Sequence, residues 1–459
     1  MRSNRDKSVE SWRYFVNEKF TLTANVYIFS LKKWQKKIDF DFWTVIIVIT
    51  FNKKEKRGKD FMKFNSVMKS GLAAIMSLSL AACGSSASSA SAGGSTAGSA
   101  AFKLGCTGPL TGDAAIYGQA VENGAKLAID EVNAAGKIAI EFNMQDDQAD
   151  GEKASTAYNT LVDWGMQVSI GAVTSGAGQA LSPLFVQDDI FAITPSGSST
   201  AVIYQNTESN TDPYGNVFQM CFTDPNQGVA SADYISEHAD LGTKVAIIYR
   251  NDDNYSSGIT AKFEEEADTV GLDIVYKGGF ANGTTDFSVY VTAAKDAGAD
   301  VVFLPIYYQP ASQILAEAAK QGYEPSFFGC DGMDGILTME GFDTTLAEGL
   351  YMLTPFAADA TDDATVSFVT KYKEAYGETP NQFAADAYDA VKAIAQALEA
   401  AGVSATDSQA DITAALKTQF TSMTFDGLTG TDVTWNENGE VSKAPKAIVI
   451  QDGAYVSAE

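Results

Sequence analysis

Residues 244–304 decide the fold class, and they read KVAIIYRNDDNYSSGITAKFEEEADTVGLDIVYKGGFANGTTDFSVYVTAAKDAGADVVFL. An apolar strand pattern at 244–249 is followed by an amphipathic helix pattern at 258–270, which Gly271 closes. The alternation continues with a strand, a helix and a strand at 272–276, 287–297 and 300–304. Short apolar strands that alternate with helices predict parallel sheets covered by helices on both faces.

A similar run precedes this one. Its strands are predicted at 101–106, 138–145, 167–170, 191–194 and 217–222, with helices at 117–133 and 155–164. Two such runs, of about 120 residues each, predict two doubly wound α/β lobes rather than one sheet. Toward the C-terminus, helices are predicted at 363–376, 382–401 and 411–420, and strands at 430–435 and 446–451.

The charge distribution excludes several classes of function. The net charge of the whole chain is −26. Residues 1–82 hold 16 of the 32 Lys and Arg but only 7 of the 58 Asp and Glu. Residues 83–459 therefore hold 16 basic and 51 acidic residues, a net charge of −35. A body this acidic repels nucleic-acid phosphates and anionic lipid headgroups, so no nucleic acid is expected as a partner. The one His, His238, lies in a polar helix pattern, so neither a His-based catalytic triad nor a His-based zinc site is expected. The sequence has no Walker-type phosphate loop, and no metal or cofactor is expected.

Residues 62–83 have the pattern of an export signal. Lys63 and Lys69 precede an apolar stretch at 71–80 that is too short to span a bilayer, and the segment ends in Leu-Ala-Ala-Cys at Cys83. This pattern resembles the bacterial lipoprotein signal, which implies that 62–82 is a signal peptide and that lipidated Cys83 anchors the protein to the outer face of the cell membrane. Residues 83–100 are rich in Ser, Gly and Ala and predict a flexible tether.

Residues 1–61 do not fit an exported protein. They are basic and aromatic, and their apolar run at 42–51 is too short to cross a membrane. Met62 is the better start, so we expect 1–61 to be a misassigned upstream extension. A genuine additional N-terminal segment is the alternative.

Polar, glycine-rich loops follow three predicted strands of the first lobe, at 105–112, 171–176 and 194–199. In an open α/β sheet, ligands bind at the carboxyl ends of the strands, beside helix N-termini. A ligand site is therefore expected where these loops meet.

Several motifs together resemble the branched-chain amino-acid binding proteins of ABC importers. They are Gly-Pro-Leu-Thr-Gly at 108–112 with Tyr-Gly at 117–118, Asp-Asp at 146–147, Asp-Pro-Asn-Gln-Gly at 224–228 and Asp-Phe-Ser at 286–288, in order within 102–456. The resemblance implies the type I periplasmic binding protein fold, whose two lobes, joined by three crossovers, close over an amino acid. It implies lobe 1 at 101–222 plus 351–428 and lobe 2 at 223–350 plus 429–459, with crossovers near 222–223, 349–351 and 428–430.

The resemblance also implies ligand-binding residues. Ser175 and Ser198 match the hydroxyls that hold the ligand carboxylate, a group that helix N-termini favour. Ser196 matches the position whose backbone carbonyl accepts from the ligand ammonium, and Asp331 matches the acid that pairs with it. The side-chain pocket would be walled by Tyr117, Tyr255 and one of Tyr307 and Tyr308. Helix capping by the serines, a turn role for Asp331 and simple packing of the tyrosines remain open alternatives.

One departure from the family concerns cysteine. Some members carry a disulfide near the site, but here 147–150 holds no Cys and Thr174 stands at the other end. Besides Cys83, the chain has Cys106, Cys221 and Cys330, which we expect to be buried free thiols.

The expected function is ligand binding without chemistry. We expect a monomeric extracytoplasmic lipoprotein that captures a hydrophobic (branched-chain) amino acid by hinge closure and delivers it to the permease of an ABC importer. The alternative is the same fold binding an aromatic amino acid, an amide or a short carboxylic acid, for transport or sensing. An enzyme that uses the adjacent acids at 146–147 or 252–253 is disfavoured, because neighbouring residues at a strand end point in opposite directions.

Overall fold

The computed structural model describes residues 9–15, 21–30, 45–52, 100–207 and 209–458. The chain divides into two compact units, Met1–Gly93 and Gly94–Glu459. In the first unit, three strands form an antiparallel sheet in chain order, β1 (Val9–Phe15), β2 (Thr21–Ser30) and β3 (Val45–Asn52). The predicted signal peptide 62–82, the lipidated Cys83 and the tether up to residue 99 lie outside the described residues, as does the rest of 1–61.

The second unit begins with a five-stranded parallel sheet in the order β10-β7-β6-β4-β5. Its strands are β4 (Phe102–Gly108), β5 (Ile140–Asp146), β6 (Val168–Ser169), β7 (Phe191–Thr194) and β10 (Val217–Gln219). Its connecting helices are α1 (Ala115–Ala135), α2 (Gly151–Trp164) and α3 (Ser175–Gln187). A small hairpin of β8 (Tyr204–Asn206) and β9 (Thr211–Pro213) precedes β10.

A seven-stranded sheet follows, in the order β12-β11-β13-β14-β15-β16-β17. The strands are β11 (Lys244–Arg250), β12 (Asp273–Phe280), β13 (Val301–Leu304), β14 (Ser326–Gly329), β15 (Tyr351–Thr354), β16 (Lys446–Gln451) and β17 (Ala454–Ser457). The helices that accompany it are α4 (Asp224–Glu237), α5 (Asn254–Val270), α6 (Ser288–Asp296) and α7 (Tyr308–Lys320). The predicted two-lobed α/β fold is confirmed, with one antiparallel strand pair added at the edge of the second sheet.

Three further helices return to the first lobe, α8 (Asp363–Tyr376), α9 (Gln382–Ala401) and α10 (Gln409–Phe420). Helix α9 packs along α1 so closely that a Cβ added at Gly124 would lie 2.0 Å from the Ala384 carbonyl oxygen. Glycine is therefore required at this helix contact. None of the helices in the described part of the chain is long and apolar enough to cross a bilayer.

The chain passes between the lobes three times, and two of these passages lie later than expected. The first falls between Gln219, which ends β10, and Asp224, which begins α4. The second was expected at 349–351, but β15 is hydrogen-bonded within the second sheet, so the chain leaves that sheet only after Thr354.

The third passage was expected at 428–430, but the chain remains on the first lobe beyond this point. Trp435 Nε1 donates to the Gln219 carbonyl at 2.7 Å, and Lys443 pairs with Asp386 of α9 at 2.8 Å. The passage therefore lies between Lys443 and the start of β16. The predicted strand at 430–435 is also wrong, because this segment forms only isolated bridges.

Candidate functional site

A cavity of about 700 Å³ lies between the two lobes, at the carboxyl ends of strands from both sheets. Thr174 and Gln179 line it from the first lobe, and Arg250 and Tyr307 line it from the second. Asn254 at the start of α5 donates a hydrogen bond to Gln179 across it, so the lobes are in contact at its edge. A larger groove, of about 1400 Å³, lies beside α1 and α9 on the first lobe and contains none of the predicted site residues.

The N-terminus of α3 and the loop after β7 bring Ser175 and Ser198 into one region. Ser175 is the first residue of α3, and its Oγ accepts a hydrogen bond from Ser199 N at 3.1 Å. The buried Ser198 Oγ and Thr174 Oγ1 have no hydrogen-bond partner in the described part of the chain. Because buried hydroxyls are normally hydrogen-bonded, two unpaired ones beside a helix N-terminus suit a ligand carboxylate.

The Ser196 side chain is used within the protein. Its hydroxyl donates to the Val173 carbonyl at 2.6 Å and joins the loop after β7 to the loop after β6. The contact expected from Ser196, through its backbone carbonyl to the ligand ammonium, does not involve this hydroxyl and stays a prediction.

Asp331 lies in the second lobe, and neither it nor Ser198 is among the residues that line the cavity. It begins a 3-10 turn directly after β14, and its side chain is buried. Its Oδ1 accepts from Tyr255 Oη at 2.7 Å, and its backbone N–H donates to Gln227 Oε1 at 3.2 Å. Burial raises the pKa of the Asp331 carboxyl from 3.8 to about 7, although the hydrogen bond from Tyr255 opposes the shift. The carboxyl is thus poised to ionise when a cation binds.

Asp224 is a second buried acid that the sequence analysis did not place in the site. It is the first residue of α4, and its backbone N–H donates to the Ser198 carbonyl at 2.9 Å. Neither of its carboxylate oxygens makes a hydrogen bond of normal geometry within the described residues. Burial raises its pKa well above the ordinary range, the nearby Ser198 hydroxyl lowers it, and the charge of Asp331 raises it further.

The signal for Asp224 was present in the sequence, in the Asp-Pro-Asn-Gln-Gly motif at 224–228. In the sequence, that motif supports only the family resemblance and does not single out Asp224. The same motif supplies Gln227, whose Oε1 holds Asp331 and whose Nε2 has no partner among the described residues. Only the burial of these side chains distinguishes them from ordinary residues of a helix N-terminus.

The predicted tyrosines form one cluster across the cleft. Tyr117 of α1 donates to the Gly332 carbonyl in the second lobe. Its ring lies edge-on to Tyr307 and Tyr308, with centroids 5.2 and 5.0 Å away. The Tyr255 and Tyr307 rings are 5.2 Å apart. Of the two alternatives, Tyr307 lines the cavity, whereas Tyr308 is buried in the core and accepts from Ile116 N.

These groups are complementary to a zwitterion. A helix N-terminus with free hydroxyls attracts an anion, and two buried carboxyl groups attract a cation. Within the described ranges, no group of three His, Cys, Asp or Glu is arranged to hold a metal ion. Cys106, Cys221 and Cys330 are buried free thiols.

Residues 101–453 match the family model described as periplasmic binding protein. The chain belongs to the periplasmic binding protein family. As a periplasmic binding protein, it binds a transported substrate rather than converting it, and it functions outside the cytoplasm. The resemblance drawn from the sequence motifs is confirmed.

Similar proteins narrow the class of this periplasmic binding protein. It is 27% identical over 332 residues to Leu/Ile/Val-binding protein homolog 3 of Brucella melitensis, covering 71% of this chain and 86% of the relative. The branched-chain amino acid transporter substrate binding protein of Streptococcus pneumoniae, solved with isoleucine, is 26% identical with a TM-score of 0.69, covering 78% of this chain and 99% of that one. These matches identify the substrate-binding protein of an ABC transporter.

A third match shows the same fold with a different ligand. The ABC transporter solute binding protein of R. palustris, solved with benzoate, is 20% identical with a TM-score of 0.68, covering 78% of this chain and 96% of that one. At this identity the match informs the fold of this periplasmic binding protein and not its ligand.

Proposed function

We propose that this protein captures a hydrophobic, branched-chain amino acid between its lobes and delivers it to the permease of an ABC importer. In this proposal, the protein is a monomer attached through lipidated Cys83 to the outer face of the cell membrane. The anchor rests on the signal pattern at 62–83. The amino-acid ligand rests on the buried Asp331, which forms no ion pair with the described residues, and on the hydroxyls of Thr174 and Ser198, which have no hydrogen-bond partner among them.

The ligand carboxylate would lie at the N-terminus of α3. There the hydroxyls of Ser198 and Thr174 would donate to it, and the helix dipole would favour its charge. The ammonium would lie between Asp331 and the Ser196 carbonyl, with Asp224 as a second acid. A buried carboxylate needs such a counter-charge, because an unpaired buried ion is costly. The aliphatic side chain would then pack against Tyr307.

A second candidate ligand is another small solute, such as an aromatic acid. One observation favours considering it. Arg250 lines the cavity together with several amide and hydroxyl side chains, although four Asp residues also line it. A simple acid has no ammonium, so it would leave Asp331 and Asp224 without a partner.

The test is calorimetric titration of the purified protein with leucine, isoleucine, valine, aromatic amino acids and benzoate. We expect a branched-chain amino acid to bind most tightly. Asp331→Ala should weaken its binding by roughly a hundredfold or more, because breaking a buried ion pair costs about 3–5 kcal/mol.

The matched control is Asp273→Ala, an exposed acid on β12 of the same lobe, which should leave the affinity unchanged. If benzoate alone binds tightly, the proposed ligand is wrong, but the proposed transport role stands. Unchanged leucine affinity in Asp331→Ala would contradict the assigned role of Asp331.

A further inference from the structure

The turn that carries Asp331 is held by side chains from both lobes. Within the second lobe, Gln227 Oε1 accepts from Asp331 N at 3.2 Å, and Tyr255 Oη accepts from Gly332 N at 3.0 Å. From the first lobe, Tyr117 Oη donates to the Gly332 carbonyl. The position of the carboxylate therefore depends on contacts that span the cleft.

Gln382 makes the most extensive of these contacts. It is the first residue of α9 and is 2% exposed. Its Nε2 donates to the Asp331 carbonyl at 2.8 Å, and its backbone N–H donates to Asp334 Oδ2 at 2.8 Å. Its Oε1 accepts from Thr354 Oγ1 at 3.0 Å, where the second crossover leaves β15. One side chain thus joins the Asp331 turn, a crossover and a helix of the first lobe.

We propose that Gln382 is a positioning residue that sets amino-acid affinity without touching the ligand. Its amide fixes the Asp331 turn relative to the first lobe, where the ligand carboxylate is held. This inference rests on the proposed function, in which Asp331 pairs with the ammonium. A buried ion pair needs accurate geometry to offset desolvation, so release of the turn weakens that pairing even though both charges remain.

The test compares Gln382→Leu with a matched control, Gln409→Leu. Gln409 is likewise the first residue of a first-lobe helix, and its Nε2 donates to the carbonyls of Gln167 and Asp189, both in the first lobe. Each substitution removes amide hydrogen bonds at a helix start; those of Gln382 are buried and those of Gln409 are half-buried or exposed, so Gln382→Leu should lower the melting temperature more. Only Gln382→Leu should weaken leucine binding, by roughly tenfold, and speed hydrogen exchange in a peptide covering 331–335.

A second variant separates the amide from the length of the side chain. Gln382→Met keeps that length but can neither donate to the Asp331 carbonyl nor accept from Thr354, so it should weaken binding about as much as Gln382→Leu. Wild-type affinity in either Gln382 variant, or an equal loss in Gln409→Leu, would overturn the inference and leave the proposed function intact. If the wild-type protein binds no amino acid, the proposed function fails first and this inference fails with it.

Discussion

Two buried carboxyl groups, Asp331 and Asp224, dominate the chemistry at the residue scale. Neither forms an ion pair within the described part of the chain, and burial raises the pKa of both. Protonation or a bound cation can relieve the cost of burying such a group. In the proposed function, an amino-acid ammonium would supply that cation and displace the proton.

Amino-acid affinity should therefore depend on pH. The Asp331 carboxyl, with a pKa of about 7, is ionised above neutrality and protonated below it. Only the ionised form pairs with the ammonium, so binding should weaken by up to about tenfold for each pH unit below 7. Titrations with leucine between pH 8 and pH 5 measure this directly.

Two variants assign the titrating group. Asp331→Asn should flatten the pH dependence. A profile that stays steep in Asp331→Asn and flattens in Asp224→Asn would move the titrating role to Asp224. A flat profile in the wild-type protein would argue against ammonium pairing with either acid.

At the element scale, α9 connects the helix layer of the first lobe to the third crossover. Lys443, just before that crossover, donates to Asp386 Oδ1 at 2.8 Å and to Thr429 Oγ1 at 2.6 Å, and its side chain is 1% exposed. One turn further along α9, Asp389 accepts from the backbone N–H groups of Leu428 and Thr429. These contacts hold residues 428–443 on the first lobe, beyond the third crossover that the sequence predicts at 428–430.

Lys443→Met should lower the free energy of unfolding by about 3–5 kcal/mol, because it leaves Asp386 buried and unpaired. The control is Lys392→Met. Lys392 lies on α9, is half-exposed and pairs with Glu131 of α1, so its loss should lower the free energy of unfolding by about 1 kcal/mol or less. Urea unfolding of both variants gives the comparison. Equal losses would mean that the buried pair does not stabilise the fold more than a surface pair does.

At the scale of the whole molecule, the Tyr117–Gly332 and Asn254–Gln179 hydrogen bonds join the lobes. In the proposed hinge mechanism, the lobes separate as rigid bodies about the three crossovers when the contacts between the lobes break. A ligand that contacts both lobes binds the closed state more tightly than the open state, and it therefore favours closure.

Small-angle scattering should therefore show a smaller radius of gyration when a branched-chain amino acid is added. The same amino acid should not compact Asp331→Ala, which lacks the proposed second-lobe partner. An unchanged radius in the wild-type protein at saturating ligand would count against hinge closure as the binding mechanism.

The sequence by itself determined the two-lobed α/β fold, because apolar strands alternating with amphipathic helices leave little choice of layering. It also determined the bounds of α8 and α9, since Asp362 and Asn381 cap their starts and glycines end them. Motif order was enough to find the family. Only the tertiary structure decided where the second and third crossovers lie, that Tyr307 rather than Tyr308 lines the cavity, that Asp224 is buried, and that Gln382 is hydrogen-bonded to the Asp331 turn. Those answers depend on burial and on contacts between residues distant in sequence, which local pattern does not encode.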